Sequence, residues 1–148
     1  MDEEQLRVFV ELVQQYFERQ TGRPAEVGSP HLGDAAALPM YDFTGVIGIS
    51  GTRQGCVYVT ARREMLRALL LQIGETDVSD RNLADLAGEI ANTLSGNARV
   101  HFGADFMISV PVIVQGGAHA IQVPRSVKAY IIPLRWHKQE AALVVSLQ

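Results

Sequence analysis

The chain has 148 residues, thirteen Lys and Arg against sixteen Asp and Glu, and a formal net charge of −3. This length fits one domain, residues 1–148, able to bury roughly 70% of its unfolded surface without a disulfide or metal. The lack of a basic surplus argues against nucleic acid as a partner, because duplex binders neutralise phosphates with a cationic face. A single cysteine, Cys56, excludes an internal disulfide and a cysteine-based metal cluster. The acidic start from Met1 to Gln5 is unlike a signal peptide, and no apolar run approaches the ~20 residues that span a bilayer. The expectation is a cytoplasmic protein without membrane contact.

In chain order, Leu6, Phe9, Val10, Val13 and Phe17 recur at helical spacing and predict an amphipathic helix from Glu3 to Gln20, ended by Gly22 and Pro24. Ala25 to Leu32 reads as short and extended, with Pro30 unsuited to a central strand. Tyr41–Ser50 and Cys56–Thr60 predict a hairpin around the Gly51–Gly55 turn. A second helix follows from about Arg62 to Ile73, stopping at Gly74. Capping residues at Asp77–Asp80 then start a third, from about Asn82 to His101. Beyond Gly103 the candidate strands are Phe106–Gln115, Val127–Trp136 and Ala141–Leu147, with Gly116-Gly117 as a turn signal.

The order of elements suggests a duplicated unit of one helix and three strands. Glu11-Leu12-Val13-Gln14 stands in the first half where Glu89-Ile90-Ala91-Asn92 stands in the second, and Pro30 and Pro111 each follow in the next strand. The expected fold is α+β and pseudo-symmetric, with helices packed on a largely antiparallel sheet. The apolar strands Val127–Leu134 and Leu143–Leu147 raise the question of sheet edges, which pair readily with another chain when exposed.

The third helix carries the most information. At ~100° per residue, Leu83, Leu86, Ala87, Ile90, Leu94 and Ala98 share a broad apolar face, while Asp85, Glu89, Asn92 and Gly96 fall within about 60° of one another opposite it. The polar row is flanked by Ala84, Gly88 and Ser95 rather than by long charged side chains. Interior glycines cost about 1 kcal/mol each relative to alanine, so either close approach by another molecule or internal packing must justify Gly88 and Gly96.

The stretch from Asp85 to Ala98 resembles the signature of the CheC/CheX family of chemotaxis phosphatases: an acidic residue or serine, three positions, Glu, two positions, Asn, then a downstream proline. The Gly96-Asn97-Ala98 tail and Ile108–Ile113 resemble CheX in particular. Only eighteen residues separate Asn92 from Pro111, a few short of the family spacing, which puts the role of Pro111 in question. The resemblance implies a phosphatase acting on the phosphorylated aspartate of a CheY-like receiver. In it Asn92 would hold the attacking water, and Glu89 would pair with a receiver lysine. Asp85, Gly88, Ser95, Gly96 and Pro111 would form the docking surface. It further implies that the chain binds no cofactor, that Mg²⁺ comes with the receiver, that one site works per chain rather than a second at Glu11 and Gln14, and that the protein is a homodimer. A non-catalytic docking module and a dimerisation scaffold are the competing readings.

Other features read as structural. Gly45-x-x-Gly48-x-x-Gly51 lacks the Lys-Ser/Thr of a phosphate loop. His31, His101, His119 and His137 lack metal-ligand spacing. Cys56 reads as a small core residue, and Trp136 fits either core or interface.

Overall fold

The computed structural model describes residues 1–34, 38–116 and 128–147. Helix α1 spans Glu3–Thr21; its Asp2 cap and Gln5 exchange hydrogen bonds, and Gly22 ends it with a left-handed φ of 83°. Strands β1 (Glu26–Val27) and β2 (His31–Gly33) precede the hairpin of β3 (Phe43–Gly51) and β4 (Gly55–Ala61). Two helices follow, α2 (Arg63–Gln72) and α3 (Asp80–Phe102), and then β5 (Phe106–Ile108), β6 (Val112–Gln115), β7 (Ala129–Trp136) and β8 (Gln139–Leu147). The helical periods therefore place all three helices to within two residues of their observed starts and ends. Gly116 carries the left-handed φ of a turn residue, 94°; its partner in the expected turn, Gly117, lies outside the described residues, as does the start of the strand expected from Val127.

Among the described residues, all eight strands join one antiparallel sheet, ordered β1-β7-β8-β4-β3-β5, with β2 also on β7 and β6 also on β3. The order is symmetric about the central β4–β8 pair. Each half is a helix, a broken outer strand and a hairpin, so the duplication holds with four strands per half rather than three. The segment expected as one strand, Phe106–Gln115, is two. Between the pairs Ile49–Ile108 and Val46–Val112, the two residues Ile47 and Gly48 face the three residues Ser109, Val110 and Pro111. That is a one-residue bulge, and proline suits it because it has no N–H for the ladder. The first half repeats the device: Pro133 and Ile132 of β7 face Gly28, Ser29 and Pro30 between the pairs Leu134–Val27 and Ile131–His31.

The apolar strands β7 and β8 are not edges. β8 lies between β7 and β4, and β1 and β2 cover the outer side of β7. The outer positions belong to the short, broken strands.

Alternation sorts the sheet into two faces. Phe43, Ile47, Val57, Val59, Ile132, Leu134, Trp136, Leu143 and Val145 pack under the three helices in the main core. Trp136 belongs to that core, 5% exposed with its ring 5.9 Å from Phe17. The opposite face holds a smaller cluster of Tyr58, Ala129, Ile131, Ala142 and Val144, covered in part by Leu38, Met40 and Tyr41. Cys56 lies on this second face and is only half-buried, outside the core where its small apolar side chain was expected; burial pushes its thiol pKa up.

At Gly45 the sheet backbone lies close against α3. A methyl group there would stand 2.5 Å from the Ala87 carbonyl oxygen and 2.8 Å from the Gly88 Cα. Both are backbone atoms of α3, so no rotamer change can relieve the clash. Gly45→Ala is therefore expected to destabilise the fold by about 2–3 kcal/mol, read as a lower urea midpoint with an unchanged slope.

Candidate functional site

Helix α3 is fixed at both ends. Ser79 caps it, accepting from the Asn82 N–H; the Asp77 carboxylate accepts from the Ser79 N–H at 3.0 Å, and the Asn82 side chain donates to the Asp77 carbonyl at 2.9 Å. The Ser79 N–H also holds the Asp77 carboxyl below its ordinary pKa. Arg99 and His101 sit in the last turn, where cations complement the helix dipole.

The apolar stripe expected along α3, from Leu83 to Ala98, is buried in full. Opposite it, Asp85, Glu89 and Asn92 are all exposed, and Gly96 is half-exposed with open space where a side chain would be. Four of the predicted positions thus share one outward ridge. Two others do not. Gly88 is buried, and a Cβ there would meet Ile113 Cδ1 at 2.7 Å and Pro111 Cβ at 3.6 Å. Ser95 is fully buried, its hydroxyl finding no hydrogen-bond partner among the described residues. Neither side-chain position is open to a docking protein, so the small size of both serves internal packing. Gly88 lets β6 lie against the helix and, from the sheet side, lets Gly45 approach the same turn. Pro111 is half-exposed beside Gly88, so the shorter spacing from Asn92 still brings it to the flank of the ridge.

On the other flank stands Tyr16 of α1, 7% exposed. Burial first, and the negative charge of Glu89 second, push its phenol pKa far up, keeping it neutral. The sequence offers no cue that this tyrosine neighbours Glu89, because at its helical position it reads only as another core aromatic. Among the described residues, no three His, Cys, Asp or Glu side chains converge as metal ligands, and no helix is long and apolar enough to cross a membrane.

A ridge of two carboxylates and an amide on a rigid helix can pair with a cation and orient a water, but it holds no nucleophile. The family model described as chemotaxis phosphatase CheX matches residues 43–135. The chain belongs to the CheX family. Solved structures cover nearly the whole chain. A CheC-like superfamily protein from Shewanella sp. PV-4 aligns at 22% identity and a TM-score of 0.86, covering 100% of this chain and 99% of that one. A putative chemotaxis protein from Desulfovibrio vulgaris Hildenborough aligns at 24% identity and 0.84, covering 98% and 97%. A chain of the CheX–CheY–BeF3–Mg²⁺ complex from Borrelia burgdorferi aligns at 16% and 0.78, covering 97% of each. At these identities the likeness shows a shared fold. No curated protein matches the chain.

Gly96 separates helix stability from any need for open surface. With nothing within 4 Å of an added methyl, Gly96→Ala is expected to raise stability by about 0.5–1 kcal/mol, measured as a higher thermal midpoint.

Proposed function

We propose that this chain is a phosphatase for the aspartyl phosphate of a CheY-like receiver domain. The supporting observation is the row of Asp85, Glu89 and Asn92, exposed together on one face of a helix whose other faces are packed. An acyl phosphate needs little covalent help: its hydrolysis passes through a loose transition state in which positioning and charge neutralisation dominate. Water attacks phosphorus, the bond from phosphorus to the aspartate oxygen breaks, and inorganic phosphate leaves with the water's protons while the carboxylate is restored.

In this reading Asn92 holds the water in line. A side-chain amide both donates and accepts hydrogen bonds without adding charge near the phosphoryl oxygens. Glu89, about one helical turn away, pairs with a receiver lysine beside the phosphate and sets the register of the two proteins. Asp85 supports the negative edge of the ridge, Gly96 leaves room for the receiver's loops, and Pro111 borders the contact. The receiver brings its own Mg²⁺. The reading includes a cytoplasmic homodimer; since β7 and β8 are interior strands, any sheet contact between copies falls to the outer ones.

Asn92→Ala is expected to abolish accelerated phosphate release from a phosphorylated receiver while leaving the thermal midpoint unchanged. Glu89→Ala should weaken both turnover and binding, the latter by about 2–5 kcal/mol for the loss of one partner from a buried ion pair. Wild-type turnover by the Asn92 variant would refute this mechanism. Receiver binding without any acceleration by the wild-type chain would identify a docking module instead.

A further inference from the structure

The bulge Ser109-Val110-Pro111 is built rather than loose. Gly48 N–H donates to Ser109 Oγ at 2.8 Å, and Ser109 N–H donates back to the Gly48 carbonyl at 2.9 Å. Pro111 and Ile113 rest against Gly88. With both sides pinned, the extra residue projects outward: Val110 is 82% exposed, as exposed as any large apolar residue described.

Its position along the ridge follows from two contacts. The Phe106 ring lies 5.2 Å from the Phe102 ring at the end of α3, and Ile113 lies at Gly88. The strand path between Phe106 and Ile113 covers about 23 Å at ~3.3 Å per residue, and the helix from Phe102 back to Gly88 about 21 Å at ~1.5 Å per residue. The two segments therefore run antiparallel and in step, which brings Val110 level with about Leu94, within one helical turn of Asn92. Packed elements stand about 10 Å apart. A protein interface of standard size, ~800 Å² per partner, has a radius of about 16 Å. A domain that sets a phosphoryl group on Asn92 and buries such an area centred there reaches Val110.

The other half of the molecule supplies an internal comparison. Its matching bulge, Gly28-Ser29-Pro30, has Ser29 at the apex, and its helix has Gln14 in the place of Asn92. The apolar apex and the asparagine occur in the same half.

Resting on the function proposed above, we infer that Val110 is an apolar anchor for the receiver, inserting into a hydrophobic patch beside its phosphorylated aspartate and contributing to binding rather than chemistry. Met107 and Val112 are also exposed, but they register with Ser50 and Val46 on the face of the sheet away from the helices, and so lie outside the contact.

The test compares wild type, Val110→Ser and Val112→Ser on a receiver loaded with phosphate, with binding measured separately on the same receiver loaded with beryllofluoride. Val110→Ser installs the residue that the other bulge carries. It is expected to raise KM and Kd about tenfold with kcat unchanged, and Val112→Ser to behave as wild type. An unchanged KM and Kd for Val110→Ser, in a preparation whose wild type is active and whose Asn92→Ala variant is dead, overturns the anchor and leaves the phosphatase reading standing. So does a fall in kcat alone, or an equal effect of Val112→Ser. Neither turnover nor binding by the wild-type chain would overturn the functional reading and the anchor together.

Discussion

The backbone contact between Gly45 of β3 and the Ala87–Gly88 turn of α3 sets the geometry on which the ridge depends. A helix that rests on side chains can roll or slide by a fraction of a turn as those side chains change rotamer. One that meets a strand backbone to backbone has far less freedom, because the contact fixes both its height above the sheet and which of its residues point down. With Ala87 facing the sheet, Glu89 and Asn92, about 160° and 140° round the helix from it, face away. Gly88 also admits Ile113 and Pro111, so the same turn seats the outer strand. Glycine at both positions serves two neighbours that converge on one turn of helix.

Much of this was legible in the sequence because it follows from periodicity. The apolar stripe of α3 placed Asp85, Glu89 and Asn92 on a common outward face without any knowledge of what lay beneath, and the structure puts all three there. The pairing of Glu11 with Glu89 and of Pro30 with Pro111 likewise reflects a real internal repeat. What could not be read was how far each small residue is from its neighbours in space. Gly88 and Ser95 flank the polar row on a helical wheel, yet both are buried. A wheel gives direction but not the distance to the next element. The bulge was hidden for a related reason: nothing in Ile108–Ile113 marks one extra residue, which becomes visible only once both ends of the outer strand are registered against β3. Tyr16 was missed because proximity between two helices separated by half the chain leaves no local trace.

The two halves share an architecture but differ in the residues along their helical ridges. Glu11 and Glu89 are both exposed, so the carboxylate alone does not distinguish them. The amides do. Gln14 carries one more methylene than asparagine, moving its amide out by about 1.5 Å, and it is half-buried where Asn92 is exposed. Misplacement of a catalytic group by about 1 Å costs on the order of 100-fold in rate. On the proposed reading, a glutamine there would leave the fold intact while moving the amide off the water-holding position, in keeping with a single working site on α3.

The exposure of the site also bears on how it could work. A flat ridge cannot exclude water or bury charge until a partner covers it, so its electrostatic interactions gain strength only within the complex. What the chain can supply beforehand is rigidity. Its polar groups stand on a capped helix seated on backbone, and the neighbouring bulge is held by paired hydrogen bonds to Gly48. Little conformational freedom is then left to lose on association, and ordering costs of about 0.5–1.5 kcal/mol for each immobilised side chain are reduced accordingly. On the proposed reading, the reactive phosphate and its metal would belong to the receiver, and this chain's part would be a fixed surface on which one amide, one carboxylate and one valine keep their spacing before the partner arrives.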